Sequence, residues 1–170
     1  MTGFPRDMKL SDLTIIREWR NDPEINHYMF SQHKITQVEH QLWFERSQNN
    51  PLLHLNVYVE NQGVKGFVQL QNKSPEDKVY EWGFYMSPTA TSGTGTKMAK
   101  LILNKVFEEM NGKKLFGEVL AFNNPSIRFH QKLGFSQEGV LREHVFLNDE
   151  YHDVYCFGIL KSEWEKRNTH

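Results

Sequence analysis

After Pro51 the apolar residues stop recurring at helical spacing and begin to alternate. Leu53, Leu55, Val57 and Val59 are interleaved with His54, Asn56, Tyr58 and Glu60, and a side-chain period of two is what a strand with distinct faces requires. Asn61-Gln62-Gly63 supplies turn chemistry, Val64, Gly66, Val68 and Leu70 repeat the pattern, and a third alternating run extends from Val79 to Met86 before Ser87-Pro88 stops it. Three consecutive strands on short turns make an antiparallel meander. A meander needs helices to cover its apolar faces, so the rest of the chain must supply them.

It does so on both sides of the meander. The first forty-nine residues read as a strand and two helices. Ser11-Asp12 opens a helix through Leu13, Ile16 and Trp19 that Asp22-Pro23 ends. Thr36-Gln37-Val38-Glu39 has the spacing of a reciprocal cap, with Glu39 reaching back, and a helix through Leu42 and Phe44 follows. Beyond the meander, a loop from Thr89 to Gly95 leads into a helix predicted from Thr96 to Met110. Its Met98, Ala99, Ile102, Leu103, Val106 and Met110 share one half, with Leu101 an exception, and Asn111-Gly112 gives a left-handed stop. A strand from Leu115 to Ala121, a helix from Pro125 to Leu133 closed by Gly134, and strands Phe135 to Leu147 and Tyr151 to Leu160 complete the chain, the last two meeting at Asn148-Asp149. The expected fold class is α/β: a mixed, mostly antiparallel sheet flanked by helices. With 170 residues and no repeat or linker, one domain over 1–170 is expected.

Twenty Lys+Arg against twenty-one Asp+Glu give a formal charge of −1, so no net basic field draws the chain to nucleic acid or an anionic membrane. The single cysteine, Cys156, has no partner for a disulfide, and Met1 to Asp7 shows no leader pattern. No apolar run approaches the roughly 20 residues that cross a bilayer. The expectation is a cytoplasmic protein with no membrane partner. The eight histidines, His170 among them, show no metal-binding spacing, so no metal is expected.

The segment Ala90-Thr91-Ser92-Gly93-Thr94-Gly95-Thr96 is the first with chemical content. Small residues let a ligand approach the backbone, and free N–H groups at a helix start favour an anion. The Walker and dinucleotide patterns both fail, the latter because Met98 stands where a third Gly is needed. From the loop alone, a pyrophosphate cradle and a plain flexible connection remain equally open.

The order of motifs narrows the choice. Ala90-x-x-Gly93-x-Gly95, a helix, a strand, Asn123-Asn124-Pro125-Ser126 running on to His130-Gln131-Lys132-Leu133-Gly134-Phe135, then Glu138-Gly139-Val140-Leu141-Arg142 resembles the Gcn5-related N-acetyltransferase (GNAT) superfamily over roughly residues 8 to 165. Arg17-Glu18-Trp19-Arg20-Asn21-Asp22-Pro23, Tyr28-Met29-Phe30-Ser31 and His40 look like its nucleotide-sugar N-acetyltransferase branch of pseudaminic acid biosynthesis. The resemblance implies a V-shaped acetyl-CoA cleft, with the pyrophosphate on backbone N–H groups of Thr91, Ser92, Gly93, Thr94, Gly95 and Thr96. It places the pantetheine arm along Tyr85 and Met86, with Asn123 and Ser126 bonding it. Ala90 replaces the usual loop Arg or Gln, and Lys97 is expected to compensate. On the acceptor side, Arg20, Met29, Phe30 and His40 would meet a UDP-linked 4-amino-dideoxy sugar, with cationic groups near its diphosphate and Gln69 and Glu81 near the amine. Core packing for Met29 and Phe30, a helix cap for Arg20 and satisfied structural polar groups for Gln69 and Glu81 are the plainer readings. The product would feed glycosylation of flagellin or another surface polymer. A homodimer is compatible with the long edge of the last hairpin.

Acetyl transfer needs a base for the amine, a donor for the carbonyl oxygen and a proton for the thiolate. Glu118 is the candidate base, expected in an apolar setting on a face with Phe116 and Leu120; pairing with a lysine such as Lys114 is the plainer reading. His130 occupies the position where the family commonly carries a Tyr that protonates the thiolate, and is the candidate acid; an ordinary helix histidine is the alternative. Cys156, in an apolar run, is expected to be inert, which favours direct attack by the amine. Two other classes stay open: acetylation of a protein N-terminus, as in ribosomal-protein acetyltransferases, and a non-catalytic acyl-CoA module.

Overall fold

A computed structural model describes residues 3–169; Met1, Thr2 and His170 lie outside the described residues. Strands β1 (Phe4–Asp7), β2 (Leu53–Glu60), β3 (Gly63–Ser74), β4 (Val79–Met86), β5 (Lys114–Leu120), β6 (Ser136–Leu147) and β7 (Glu150–Leu160) form one seven-stranded sheet in the order β1-β2-β3-β4-β5-β7-β6. Every neighbouring pair is antiparallel except β4 with β5. The helices are α1 (Leu13–Asn21), α2 (Pro23–Asn26), α3 (Gln37–Gln48), α4 (Thr94–Asn104), α5 (Asn124–Leu133) and α6 (Lys161–Asn168).

Alternation in the strands divides the core in two. Leu55, Val57 and Phe67 turn to one face and pack with Ile16 and Trp19 of α1 and Phe44 of α3. Tyr58, Val68, Leu70, Trp82, Leu115, Phe157 and Ile159 belong to the other, packed with Met98, Ile102 and Val106. Because helices cover both faces, β2 is buried on both, and its polar Asn56 is as inaccessible as Val57.

Local chemistry sets the boundaries. Helix α4 starts at Thr94, two residues earlier than its periodicity predicts, because Gly93 caps it in the left-handed region at φ 90°. Its C-terminal end widens into a π-helical turn, Lys105–Glu109, instead of running on as α-helix, and Asn111 supplies the left-handed stop at φ 54°. Thr36 caps α3 as expected by accepting from the Glu39 N–H at 3.2 Å, but the Glu39 carboxylate turns away to His33 at 2.7 Å, so the reciprocal half of the cap is absent. Two helices have no periodicity long enough to announce them. Asp22 starts α2, its side chain accepting from the Glu24 N–H at 2.9 Å with Pro23 at the first position. In α6, Glu163 accepts the Leu160 N–H at 3.2 Å and Trp164 lies 5.3 Å from Phe107. The hairpin between β6 and β7 turns through Asn148 (φ 51°) and Asp149 (φ 63°) as the sequence requires. No helix among the described residues is long and apolar enough to cross a membrane.

Candidate active site

The one parallel pair creates the site. β4 and β5 are paired only through Val79–Glu81 with Lys114–Phe116. Past that point β4 continues against β3 and β5 continues against β7, so the two strands part and leave a V-shaped cleft. The resulting cavity, about 1370 Å³, is walled by Trp82 to Met86 on one side and by Gly117 and Glu118 on the other. Gly83 borders it with open space where a side chain would stand. A strand edge without a partner is a ready acceptor for an extended, amide-bearing ligand arm.

At one end the cavity reaches Met86, Gly93, Gly95 and Thr96, where the start of α4 brings its N–H groups, and Asn123 and Ser126 at the start of α5. This donor set suits a coenzyme diphosphate followed by a pantetheine arm. Tyr85 and Met86 line the cavity. Thr91, Ser92 and Thr94 do not. Thr94 is buried, its hydroxyl 3.0 Å from that of Thr91, so this pair braces the loop from within. The Lys97 ammonium, expected to replace the missing loop cation, is held 2.9 Å from the Glu60 carboxylate. Asn123 caps α5 by accepting the Ser126 N–H at 3.2 Å.

His130 is not the acid the resemblance implies. It is 2% exposed, and its Nε2 accepts from the Trp82 indole N–H at 3.1 Å. Indole can only donate, so Nε2 carries no proton, and the one on Nδ1 is committed to the Ser126 carbonyl at 2.8 Å. Burial pushes its pKa down to about 4, and the ring is a neutral connector between β4 and α5. Gly117 makes this possible: a Cβ there would come within 2.9 Å of the indole and 3.3 Å of His130 Nε2. His130→Phe is therefore expected to leave the shape of the pH–rate profile unchanged. The same change should cost about 1–3 kcal/mol of stability by orphaning the Trp82 N–H; a rate profile and a denaturant titration check both.

Glu118 sits where the strands diverge and faces the cavity, but its setting is exposed, not the apolar one expected. Lys114 pairs with Glu138 at 2.6 Å. A side chamber of about 230 Å³ joins Glu118 to Gln69, Gln71, Glu81 and Phe30. The Glu81 carboxyl is pushed up by burial and by the charge of Glu118, against the pull of Lys73 at 3.8 Å.

Arg20, Met29, Phe30 and His40 all line the cavity, on a wall made by α1, α3 and the stretch after α2. Sequence reasoning missed Tyr28, Trp43 and Arg46, which share it; the i, i+3 spacing of His40 and Trp43 was the available signal. His40 is not the expected cation. It stacks on Trp43 at 4.8 Å, and burial, helped by Arg17 and Arg20, pushes its pKa down to about 4. Both terminal nitrogens of Arg20 are engaged within the chain, by Asn26 Oδ1 at 2.8 Å and the Ser31 carbonyl at 2.5 Å. Arg46 is the exposed cation of this wall.

A sheet whose one parallel pair splays open, with a helix start at one end of the gap, is the acetyltransferase architecture, and the Acetyltransferase (GNAT) domain family matches residues 6–136. The chain belongs to that acetyltransferase family. Among relatives, it is 39% identical over 87 residues to the SPbeta prophage-derived uncharacterized N-acetyltransferase YokL of Bacillus subtilis, an alignment spanning 49% of each chain; the chain thus matches about half the length of that relative. It is 25% identical over 161 residues to Acetyltransferase PseH of Campylobacter jejuni, covering 92% of this chain and 91% of that one. The crystal structure of spermidine N-acetyltransferase from Vibrio cholerae in complex with CoA and spermine superposes with a TM-score of 0.89 at 22% identity, over 96% of this chain and 98% of that one.

Proposed function

We propose that the enzyme acetylates the 4-amino group of a UDP-linked amino-dideoxy sugar, as in pseudaminic acid biosynthesis. The observation that carries this reading is the set Tyr28, Met29, Phe30 and Trp43 lining the same cavity as the Glu118 carboxylate, with Glu81 in the side chamber that Glu118 and Phe30 also line. Flat aromatic and thioether surface suits a uracil ring and a C6 methyl, Arg46 suits a diphosphate, and the two acids suit an amine that arrives protonated. The likeness to PseH over nearly the whole chain agrees with it.

In this reading Glu118 takes the ammonium's first proton and passes it to water, and the neutral nitrogen attacks the thioester carbonyl. The C–S bond breaks to release the CoA thiolate, and Glu118 then takes the second proton that the new amide nitrogen sheds. A backbone N–H near Met86 steadies the oxygen. A thiol pKa of about 8.5 lets water supply the sulfur's proton near neutrality. The exposed Val140 and Phe146 on the edge strand β6, with Tyr151 beside them, support a homodimer.

A thiol-release assay with UDP-4-amino-sugar, spermidine and a ribosomal-protein N-terminal peptide tests the acceptor. Turnover of the sugar nucleotide at least about 100-fold above the others in kcat/KM is expected, since a polar site rejects an acceptor lacking its hydrogen-bonding groups by such factors. Turnover of only spermidine or only the peptide overturns the assignment.

A further inference from the structure

The acceptor wall is carried by an irregular stretch, residues 27–36, which has no ladder of its own. Side chains hold it instead. Asn21, the last residue of α1, pairs with the backbone of Ile35 at two points: its Nδ2 donates to the Ile35 carbonyl at 2.8 Å, and its Oδ1 accepts the Ile35 N–H at 2.7 Å. The carboxamide thus imitates a peptide unit of a neighbouring strand. Asn26 donates to the Gln32 carbonyl at 2.8 Å and Gln32 to the His27 carbonyl at 2.7 Å, closing short local loops, and Arg20 of α1 reaches the Ser31 carbonyl near the middle of the stretch. The Asn21 pair ties the far end of the stretch to a helix packed in the core.

We propose that Asn21 is a positioning residue for acceptor recognition: it touches no reactant, and it fixes the conformation in which Tyr28, Met29, Phe30 and Ile35 form one side of the acceptor pocket. The residue type follows from the geometry. Only Asn carries a donor and an acceptor on an arm this short; Asp lacks the donor, Ser offers a single oxygen, and Gln is one methylene too long. When the pin is removed, the binding-competent conformation becomes one of several, and the apparent affinity for the acceptor falls by the fraction of molecules still holding it. The coenzyme arm lies on β4 and the starts of α4 and α5, which the pin does not touch. The effect therefore falls on one substrate and spares the other. The proposal rests on the reading that this wall receives the acceptor, whichever amine that is.

The experiment compares wild type with Asn21→Ala and Asn21→Asp, using the amine that wild type turns over best in the panel above. Asn21→Ala is expected to raise the acceptor KM about tenfold, with kcat within about threefold and calorimetric acetyl-CoA affinity within about twofold. Asn21→Asp keeps the bond from the Ile35 N–H and sets its second oxygen against the Ile35 carbonyl, so an intermediate rise is expected; it carries the test if the alanine variant fails to fold. Acceptor and coenzyme constants shifting together, or an acceptor KM unchanged in a folded variant, overturns the proposal. Wild-type turnover of spermidine instead of the sugar overturns the substrate assignment alone, because the KM comparison then proceeds on spermidine.

Discussion

Glu118→Gln is expected to lower kcat by about 10²–10⁴ while calorimetric acetyl-CoA affinity stays within about twofold. Glutamine keeps the size and hydrogen-bonding reach of the side chain and removes its basicity, so the change isolates proton abstraction from packing. Among the described residues, three side-chain carboxylates line the main cavity, those of Glu24, Glu39 and Glu118. Glu39 is bonded to His33 at 2.7 Å, and Glu24 belongs to the first turn of the exposed α2. Glu118 alone stands at the fork of β4 and β5, opening on both the cleft and the side chamber. An unchanged kcat in Glu118→Gln would move the base to Glu81, whose raised carboxyl pKa suits it to hold a proton; Glu81→Gln would then carry the large loss.

The strands and the glycine-containing loop at one end of the cleft were legible because their signals are local. Alternation places Leu53 to Glu60 and Val79 to Met86, and small residues before an amphipathic run place the start of α4. The wall of Arg20, Met29, Phe30 and His40 was legible only through the Arg-Asn-Asp-Pro and Tyr-Met-Phe-Ser segments, which identify residues without saying what they do. Arg20 reads as a free cation until its two bonds to Asn26 and Ser31 are seen, and His40 reads as titratable until the Trp43 ring covers it. Protonation depends on burial, and burial at His130 is set by residues far away in sequence, Trp82 lying 48 positions from it. Glu118 shows the same limit. Its period of two puts it correctly on a face with Phe116, but the divergence of β4 turns that face from an apolar contact into an open cleft.

That burial has a thermodynamic consequence of its own. His130 is neutral in the fold with a pKa near 4, against about 6.5 when the chain is unfolded. Above pH 6.5 both states bind no proton there and stability is unaffected. As pH falls below 6.5 the unfolded chain takes up a proton that the native ring refuses, so stability is lost progressively until the native pKa is reached. A gap of about 2.5 pH units corresponds to about 3 kcal/mol from this residue, a large share of a typical domain's margin. His40, also lowered to about 4 by burial, acts in the same direction over the same window. Denaturant unfolding between pH 7 and pH 4 should therefore include a loss of about 3 kcal/mol from His130, most of it below pH 6. In His130→Phe the curve should start lower at pH 7, for want of the Trp82 hydrogen bond, yet fall less steeply with acid. Parallel curves for the two proteins would mean that the native imidazole accepts its proton at an ordinary pH, and the buried, neutral His130 derived from the Trp82 and Ser126 bonds would be wrong.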